Sequence, residues 1–209
     1  MNDIYIARFS SWTPPKDTPS KSPDLSFTDP MFRRRLSQIS KMTIQVVHDI
    51  LPVKEETKLF FLSFRGEIAK QYNVNKMIIQ DNTISPAAFS LSVFNAPIAL
   101  ASMALSLKGG YSAIYPGKNS FSTGLDAACA ELLTSKNEEL VFIYADEAVP
   151  QEYAGIVLDP PFPLALGLFL TKKNEPGYVP LSLIEKINKD SAEAFLNQLL
   201  SHRGIYVSS

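Results

Sequence analysis

The chain has 209 residues, 20 basic and 21 acidic side chains, a net charge of −1 and 45% hydrophobic residues. This balance is typical of one globular domain and gives no electrostatic reason to expect nucleic acid as a partner. The single cysteine, Cys129, excludes an internal disulfide, and the N-terminal stretch lacks the basic and apolar regions of an export signal. We therefore expect a cytoplasmic protein without a membrane span.

The first part of the sequence predicts a strand, a long loop and a helix. The β-rich, mostly apolar stretch 4–12 predicts a largely buried strand. Residues 13–30 are rich in proline and serine without periodicity, which predicts a surface loop. Asp29 and Pro30 suit the start of a helix, and apolar residues at helical spacing continue that helix to Ile50.

The middle of the chain predicts a second strand and two helical segments. The apolar, aromatic run 58–66 predicts a buried strand, and 67–80 predicts a weaker helical segment. A clearer helix is predicted within 95–110, where Asn95 is a candidate N-cap. Gly109 is the candidate left-handed residue just after that helix.

The second half predicts three strands and two helical regions. Residues 111–116 predict a third strand, 120–135 a helix and 139–146 a fourth strand. A fifth strand is predicted within 161–173. Since little helical signal precedes it, we expect that strand to be antiparallel at a sheet edge. Residues 182–200 predict terminal helices.

This alternation of strands and helices predicts an α/β layered domain with a mostly parallel sheet. We treat 1–209 as a single domain with a C-terminal helical extension from about residue 180.

Polar residues open the helix that follows the third strand. Ser120, Ser122 and Thr123 lie where backbone N–H groups and the helix dipole favour negative charge. The surrounding sequence does not match G-x-S-x-G, and a serine at a helix start is usually a cap. The two histidines, His48 and His202, have no motif around them.

Metal and paired-carboxylate sites have weak support. One cysteine and two widely separated histidines do not form zinc-ligand spacing, so we expect no metal and no cofactor. Cys129 has no basic neighbour and is expected to be a packing residue. Asp146 and Glu147 end the fourth strand, but adjacent strand residues point to opposite faces, which disfavours an acid/base pair.

The arginines at positions 33 to 35 lie in the predicted first helix turn, where successive residues fan about 100° apart. A solvated face is the simplest interpretation. The alternative is docking of an acidic protein partner by Arg33 and Arg34.

Four segments together resemble a known family: FRRRLSQISKM, SPAAFSLSVFNAPIALASMALSLKGG, PGKNSFSTGLDAACAELL and FIYADEAVP. They are similar to short proteins with a β-ketoacyl synthase N-terminal-like domain, in the thiolase-like superfamily. Within that family they most resemble the chain-length-factor-like partners of ketosynthases from aryl polyene clusters. The resemblance covers roughly residues 30–173.

The resemblance implies a thiolase-like half: a five-stranded mixed sheet with helices on both faces. In full ketosynthases a catalytic cysteine opens the helix after the third strand, and aligning FSTGL to that elbow puts Phe121 at the cysteine position. Residues 117–128 contain no cysteine, and the two histidines that ketosynthases use come from a second half. We therefore expect a non-catalytic subunit that pairs with an active ketosynthase in polyketide-type or fatty acyl chain elongation.

The resemblance also implies that the third strand lies at the sheet edge and pairs with its counterpart in the partner. The short, uncharged stretch 111–116 fits that role; the alternative is an interior strand. The expected interface residues are Asn95, Ala99, Ser102, Tyr111, Ser112, Ile114, Tyr115, Ser120 and Phe121.

Two other functions remain open at this point. One is an independent acyl-transfer or hydrolytic enzyme that uses Ser120 or Ser122 with His48. The other is a binding module for acyl carrier protein that uses the arginines at positions 33 to 35, Arg33 and Arg34 above all. Whether Phe121 faces its own pocket or the partner is also open.

Overall fold

A computed structural model of the chain describes residues 3–50, 54–117, 120–153, 162–185 and 191–201. The strands are β1 (Tyr5–Trp12), β2 (Lys58–Leu62), β3 (Tyr111–Ile114), β4 (Glu139–Asp146), β5 (Leu164–Thr171) and β6 (Val179–Pro180). The helices are α1 (Pro30–Arg33), α2 (Gln38–Asp49), α3 (Ile68–Asp81), α4 (Pro86–Ser90), α5 (Ala96–Ala104), α6 (Phe121–Thr134), α7 (Leu181–Glu185) and α8 (Ala192–Ser201). None of the described helices is long and apolar enough to cross a membrane.

The strands form one mixed sheet in the order β3-β2-β4-β5-β1-β6. β2 is parallel to both β3 and β4, whereas β5 is antiparallel to both β4 and β1. The predicted mixed α/β fold class is confirmed. The sheet has one strand more than expected, because the short strand β6 pairs with Tyr5 and Ile6 of β1.

The prediction for β5 is half right. The strand is antiparallel, as expected, but it lies inside the sheet between β4 and β1 rather than at an edge. All eight residues of β5 are buried. The edge of β5 that was expected to be free is paired with β1. Gly167 in this strand leaves room for α2, since an added Cβ would lie 3.1 Å from the Val46 carbonyl oxygen.

A β-bulge in β1 changes which face of the sheet the following side chains point to. The register with β5 shifts between Ile6 and Arg8. Ile6 and Phe9 consequently reach the same apolar cluster, whereas Ala7 belongs to the cluster on the other face. In a regular strand Ile6 and Phe9 would point to opposite faces.

Each face of the sheet carries its own apolar cluster. The α6 face joins the sheet to α6, α7 and α8, with Leu125, Ile184 and Phe195 among its buried residues. The α2 face joins the sheet to α2 and α5, with Ile44 and Ile98 among its buried residues. This arrangement places helices on both faces, as predicted.

The single helix expected from Pro30 to Ile50 is two helices. Asp29 caps α1 as predicted, since its carboxylate accepts from the N–H groups of Met31 and Phe32 at 2.9 Å. The helix ends after one turn, and Ser37 caps α2 by accepting from the Ser40 N–H at 3.1 Å. The apolar periodicity does not reveal this break, because Phe32 and Leu36 before it and Ile39 after it all pack in the cluster on the α2 face of the sheet.

The end of α5 also differs from expectation. α5 stops at Ala104, and Ser106 adopts the positive φ of 55° that was expected of Gly109. Gly109 serves another purpose, because a Cβ there would overlap the backbone of Glu56 and Thr57. Asn95 precedes the helix as predicted, but its side chain makes no capping hydrogen bond.

Candidate functional site at the elbow between β3 and α6

The site-bearing end of the sheet lies where the parallel strands β2, β3 and β4 end. β3 ends at Ile114, Gly117 adopts a φ of +66°, and α6 begins at Phe121. Ser120 is the N-cap of α6, and its hydroxyl accepts from the Thr123 N–H at 3.3 Å. Its Oγ also lies 2.7 Å from Ser122 Oγ. These contacts assign Ser120 the capping role typical of serine at this position.

Phe121 points into the protein and is fully buried. Its ring centroid lies 5.7 Å from those of Phe142 and Tyr144 in β4, both in edge-to-face geometry. The Phe195 ring of α8 lies 5.3 Å away on another side. The position that opens α6 is therefore filled by an aromatic cluster, and Phe121 offers no side-chain surface to a partner.

A serine nucleophile at the elbow would need a base, and His48 cannot supply it. His48 lies on α2, which packs on one face of the sheet, whereas Ser120 precedes α6 on the other face. The His48 ring stacks on Phe27 at 3.7 Å, and its Nδ1 lies 3.4 Å from the Asp49 carboxylate. His202 lies outside the described residues. The geometry therefore rules out the proposed pairing of Ser120 or Ser122 with His48.

Cys129 lies two turns into α6, away from the elbow. It is half-buried and packs against the cluster on the α6 face. This placement matches the packing role expected from the sequence. No group of three or more metal-binding side chains occurs among the residues the structure describes.

β3 forms one edge of the sheet, so the expected edge position is confirmed and the alternative of an interior strand is wrong. Tyr111 and Tyr115 are 37% and 58% exposed along this edge. Ser112 and Ile114 are half-buried on the side of α6, where Ser112 Oγ donates to Glu131 Oε2 at 3.0 Å.

Residues of α5 border the same edge. Asn95 Nδ2 donates to Tyr111 Oη at 3.2 Å, which joins the start of α5 to β3. Ala99 and Ser102 are half-buried. Ser102 Oγ donates to the Leu107 carbonyl at 2.7 Å and so closes the end of the helix. The structure thus joins Asn95 to the edge strand that carries Tyr111, Ser112 and Ile114, whereas Phe121 lies inside the protein.

Asp146 and Glu147 point apart, as the sequence indicated. Asp146 is buried and accepts from Ser63 Oγ at 2.7 Å and from the backbone N–H groups of Phe64 and Arg65. Burial raises the pKa of Asp146, and the nearby Arg65 charge opposes that shift. Asp146 therefore fixes the loop after β2 and is not available as an acid or base.

Glu147 interacts electrostatically with Glu67, a residue that the sequence did not single out. Both side chains are buried. Burial and then the charge of Glu67 raise the pKa of Glu147 to about 8. Little in the sequence indicated this interaction between Glu67 and Glu147. An acidic residue at the start of a helix, such as Glu67, ordinarily interacts with the first turn of its own helix.

The arginines do not form the predicted first helix turn of a long helix. Arg33 ends α1, Arg34 is its C-cap, and Arg35 lies in the following turn. Arg33 Nη1 lies 3.6 Å from the Asp24 carboxylate, whereas Arg34 and Arg35 are solvent exposed.

The sequence matches the family described as β-ketoacyl synthase, N-terminal domain, over residues 9–201. The chain belongs to this family. The family inferred from the four sequence segments is thereby confirmed. A comparison with curated proteins found no match.

Solved structures share the fold of this β-ketoacyl synthase domain. One is the ketosynthase ApeO in complex with its chain length factor ApeC from Xenorhabdus doucetiae, with a TM-score of 0.67, 20% identity, and coverage of 82% of this chain and 79% of that chain. The ishigamide ketosynthase/chain length factor has a TM-score of 0.63 and 10% identity, with coverage of 81% and 62%. A β-ketoacyl synthase from Burkholderia phymatum STM815 has a TM-score of 0.60 and 9% identity, with coverage of 83% and 60%. At these identities the likeness shows a thiolase-like fold.

Proposed function

We propose that this β-ketoacyl synthase domain is a non-catalytic, chain-length-factor-like subunit that pairs with an active ketosynthase. The observation that carries the proposal is Phe121. By the sequence resemblance it occupies the position of the catalytic cysteine, and its ring is fully buried among Phe142, Tyr144 and Phe195. A decarboxylative condensation needs a thiolate and donors for the developing oxyanion, and a buried phenyl ring supplies neither.

The exposed strand β3 supports the pairing part of the proposal. One side of this strand bonds to β2, and its other side presents backbone N–H and C=O groups at the edge of the sheet. Its residues, Tyr-Ser-Ala-Ile, carry no charge that would discourage another strand from pairing. A partner strand would satisfy these backbone groups and cover Tyr111 and Tyr115.

Two structural neighbours are a ketosynthase together with its chain length factor and the ishigamide ketosynthase/chain length factor. The first of these covers nearly equal shares of both chains, so the matched chain is about as long as this one. This similarity of length favours the same kind of partnership here. We propose that the subunit acts in aryl polyene or related polyketide-type chain elongation, on the basis of the sequence resemblance.

The C-terminal helices α7 and α8 help to bury Phe121 and so support a non-catalytic role. Leu181 and Ile184 of α7 and Phe195 of α8 join the cluster that contains Phe121. We therefore propose that the chain is one domain, in which the helical extension from about residue 180 seals the elbow.

Co-expression with an aryl polyene ketosynthase, followed by size-exclusion chromatography, tests the pairing. We expect one heterodimeric peak for the wild type. Tyr115→Asp should abolish it, because a charge at this edge would be buried without a partner. Leu183→Asp is the matched control: Leu183 is 47% exposed, but it lies on α7 beside the opposite edge of the sheet.

Two outcomes would contradict the pairing. One is a stable monomer that ignores the ketosynthase, and the other is an equal loss of the complex in Tyr115→Asp and Leu183→Asp. The non-catalytic assignment has its own assay, in which the purified chain alone receives malonyl and acyl thioesters. Any condensation product that forms without a ketosynthase overturns that assignment.

Docking of acyl carrier protein is a second candidate function. Its support is the exposure of Arg34 and Arg35 beside Arg33, which instead pairs with Asp24. Reversing the charge in Arg34→Glu/Arg35→Glu should abolish salt-sensitive binding of an acidic carrier protein. Unchanged binding in this double variant would remove the arginines from the docking surface.

A further inference from the structure

Two buried glutamates hold the first turn of α2. Glu147 Oε2 accepts from the Ile39 N–H at 3.3 Å, and Glu147 Oε1 accepts from the Ala69 N–H of α3 at 3.1 Å. Glu67 Oε1 accepts from Ser37 Oγ at 2.8 Å and from Ser40 Oγ at 2.5 Å. The two carboxyl groups therefore join the start of α2 to the start of α3.

These carboxyl groups are shielded from water. Glu67 is 0% exposed and Glu147 is 2% exposed. Glu67 Oε2 finds no hydrogen-bond partner among the described residues, which leaves one buried oxygen unsatisfied. Burial and the charge of Glu67 both raise the pKa of Glu147, so one carboxyl group is favoured in its protonated form.

The surrounding charged groups do not neutralise the pair. From α3, the Lys70 charge favours ionisation of both glutamates, but its Nζ donates to the Arg35 carbonyl at 2.9 Å. From β4 and the loop after β2, Asp146 and Arg65 interact with each other. From α2 the pair receives two hydroxyl groups and one backbone N–H, none of them charged.

α3 has little else to hold it. Val74 is its one buried side chain. Ile78 and Ile79, near its C-terminal end, are exposed. Because apolar burial contributes so little here, the polar contacts at the start of α3 carry much of its attachment.

We propose that Glu67 and Glu147 together carry one proton and form a proton-dependent clamp that holds the start of α3 against α2. Loss of that proton to solvent leaves two negative charges in the clamp, and their repulsion loosens α3. Burial raises the pKa of both groups, and that of Glu147 lies at about 8, so the clamp weakens as the pH rises toward 8. This inference is independent of any ketosynthase partner.

Hydrogen exchange followed by mass spectrometry tests the clamp on the full chain from pH 6 to pH 9. After correction for the intrinsic pH dependence of exchange, we expect protection of residues 68–81 to fall by up to about tenfold per pH unit from pH 6 to about pH 8, and to level off above that pKa. In Glu147→Gln the protection of α3 should no longer depend on pH. The exposed Glu138→Gln is the matched control and should behave as the wild type.

Carbon-13 NMR of protein labelled at the glutamate carboxyl carbons gives a second readout that needs no variant. One resonance titrating above pH 7 supports the clamp, and assignment by Glu147→Gln or Glu67→Gln locates it. The proposal is overturned if every glutamate carboxyl titrates below pH 6. Equal corrected protection of α3 at pH 6 and pH 9 would also overturn it.

Discussion

Helices α3 and α6 occupy equivalent places in the topology but are held in different ways. Both have 14 residues, and both follow a parallel strand at the same end of the sheet. α6 buries a stripe of apolar and small residues from Phe121 to Leu132 against the sheet, whereas α3 buries Val74 alone. The position in the topology thus determines where a helix starts, but not how firmly it is attached.

The caps of these two helices show the same contrast. Ser120 caps its own helix through its hydroxyl. Glu67 occupies the N-cap position of α3, but its side chain binds Ser37 and Ser40 of α2 instead. α6 therefore depends on apolar packing and a local cap. α3 depends on a long-range carboxyl pair, and this makes α3 the helix that responds to pH.

The largest expected effect comes from emptying the core of α6. Phe121→Ala should lower the free energy of unfolding by about 3–5 kcal/mol, because it leaves a cavity between β4 and α8. Val74→Ala in α3 should cost about 1 kcal/mol, within the range of ordinary substitutions. Urea denaturation followed by circular dichroism measures both. Equal losses would mean that the two helices are anchored alike.

Overpacking α6 is expected to have the next largest effect. An added Cβ at Gly124 would overlap both methyl groups of the buried Leu62. Gly124→Ala should therefore destabilise by about 1–3 kcal/mol, even though alanine favours helices. Asn75→Ala at an exposed position of α3 is the control, and it should stabilise slightly. A stabilising Gly124→Ala would contradict the close packing of α6 on β2.

The pH dependence of stability should reflect the carboxyl pair at α3. The pKa of Glu147 is about 8 in the folded protein against 4.5 for an ordinary glutamate, so the folded state binds more protons. Its contribution is complete below pH 4.5 and is lost as the pH rises through 8. The free energy of unfolding should fall by up to about 1.4 kcal/mol per pH unit in this window.

Urea denaturation at several pH values between 5 and 8 measures this slope. The slope should be smaller in Glu147→Gln, because that side chain carries no proton to lose. If wild-type stability instead rises with pH across this range, Glu147 is not protonated in the folded protein.

The smallest of the four effects concerns the cap of α6. Ser120→Ala should cost about 1 kcal/mol, because it removes the acceptor for the Thr123 N–H. Ser120→Asp retains an acceptor at the same place and should recover most of the loss. Thermal denaturation compares the two variants. Failure of Ser120→Asp to recover stability would assign the effect to the lost contact with Ser122 rather than to the cap.

Much of the scaffold was predictable from the sequence. The strand 139–146, the caps Asp29 and Ser120, and the edge position implied for β3 agree with the structure. The lack of a cysteine at the elbow is also a property of the sequence alone. Strand propensity and capping depend on residues a few positions apart, so short segments determine them.

Other features were decided only by the tertiary structure. Phe195 from α8 packs against Phe121, β1 covers β5 on the side predicted to be open, and Glu67 joins Glu147 across two helix starts. The residues in each of these contacts are far apart in the chain. Their burial depends on how whole elements pack, and the pKa of a carboxyl group depends on that burial. No local pattern encodes either property, so the inward direction of Phe121 and the carboxyl pair emerged only from the folded chain.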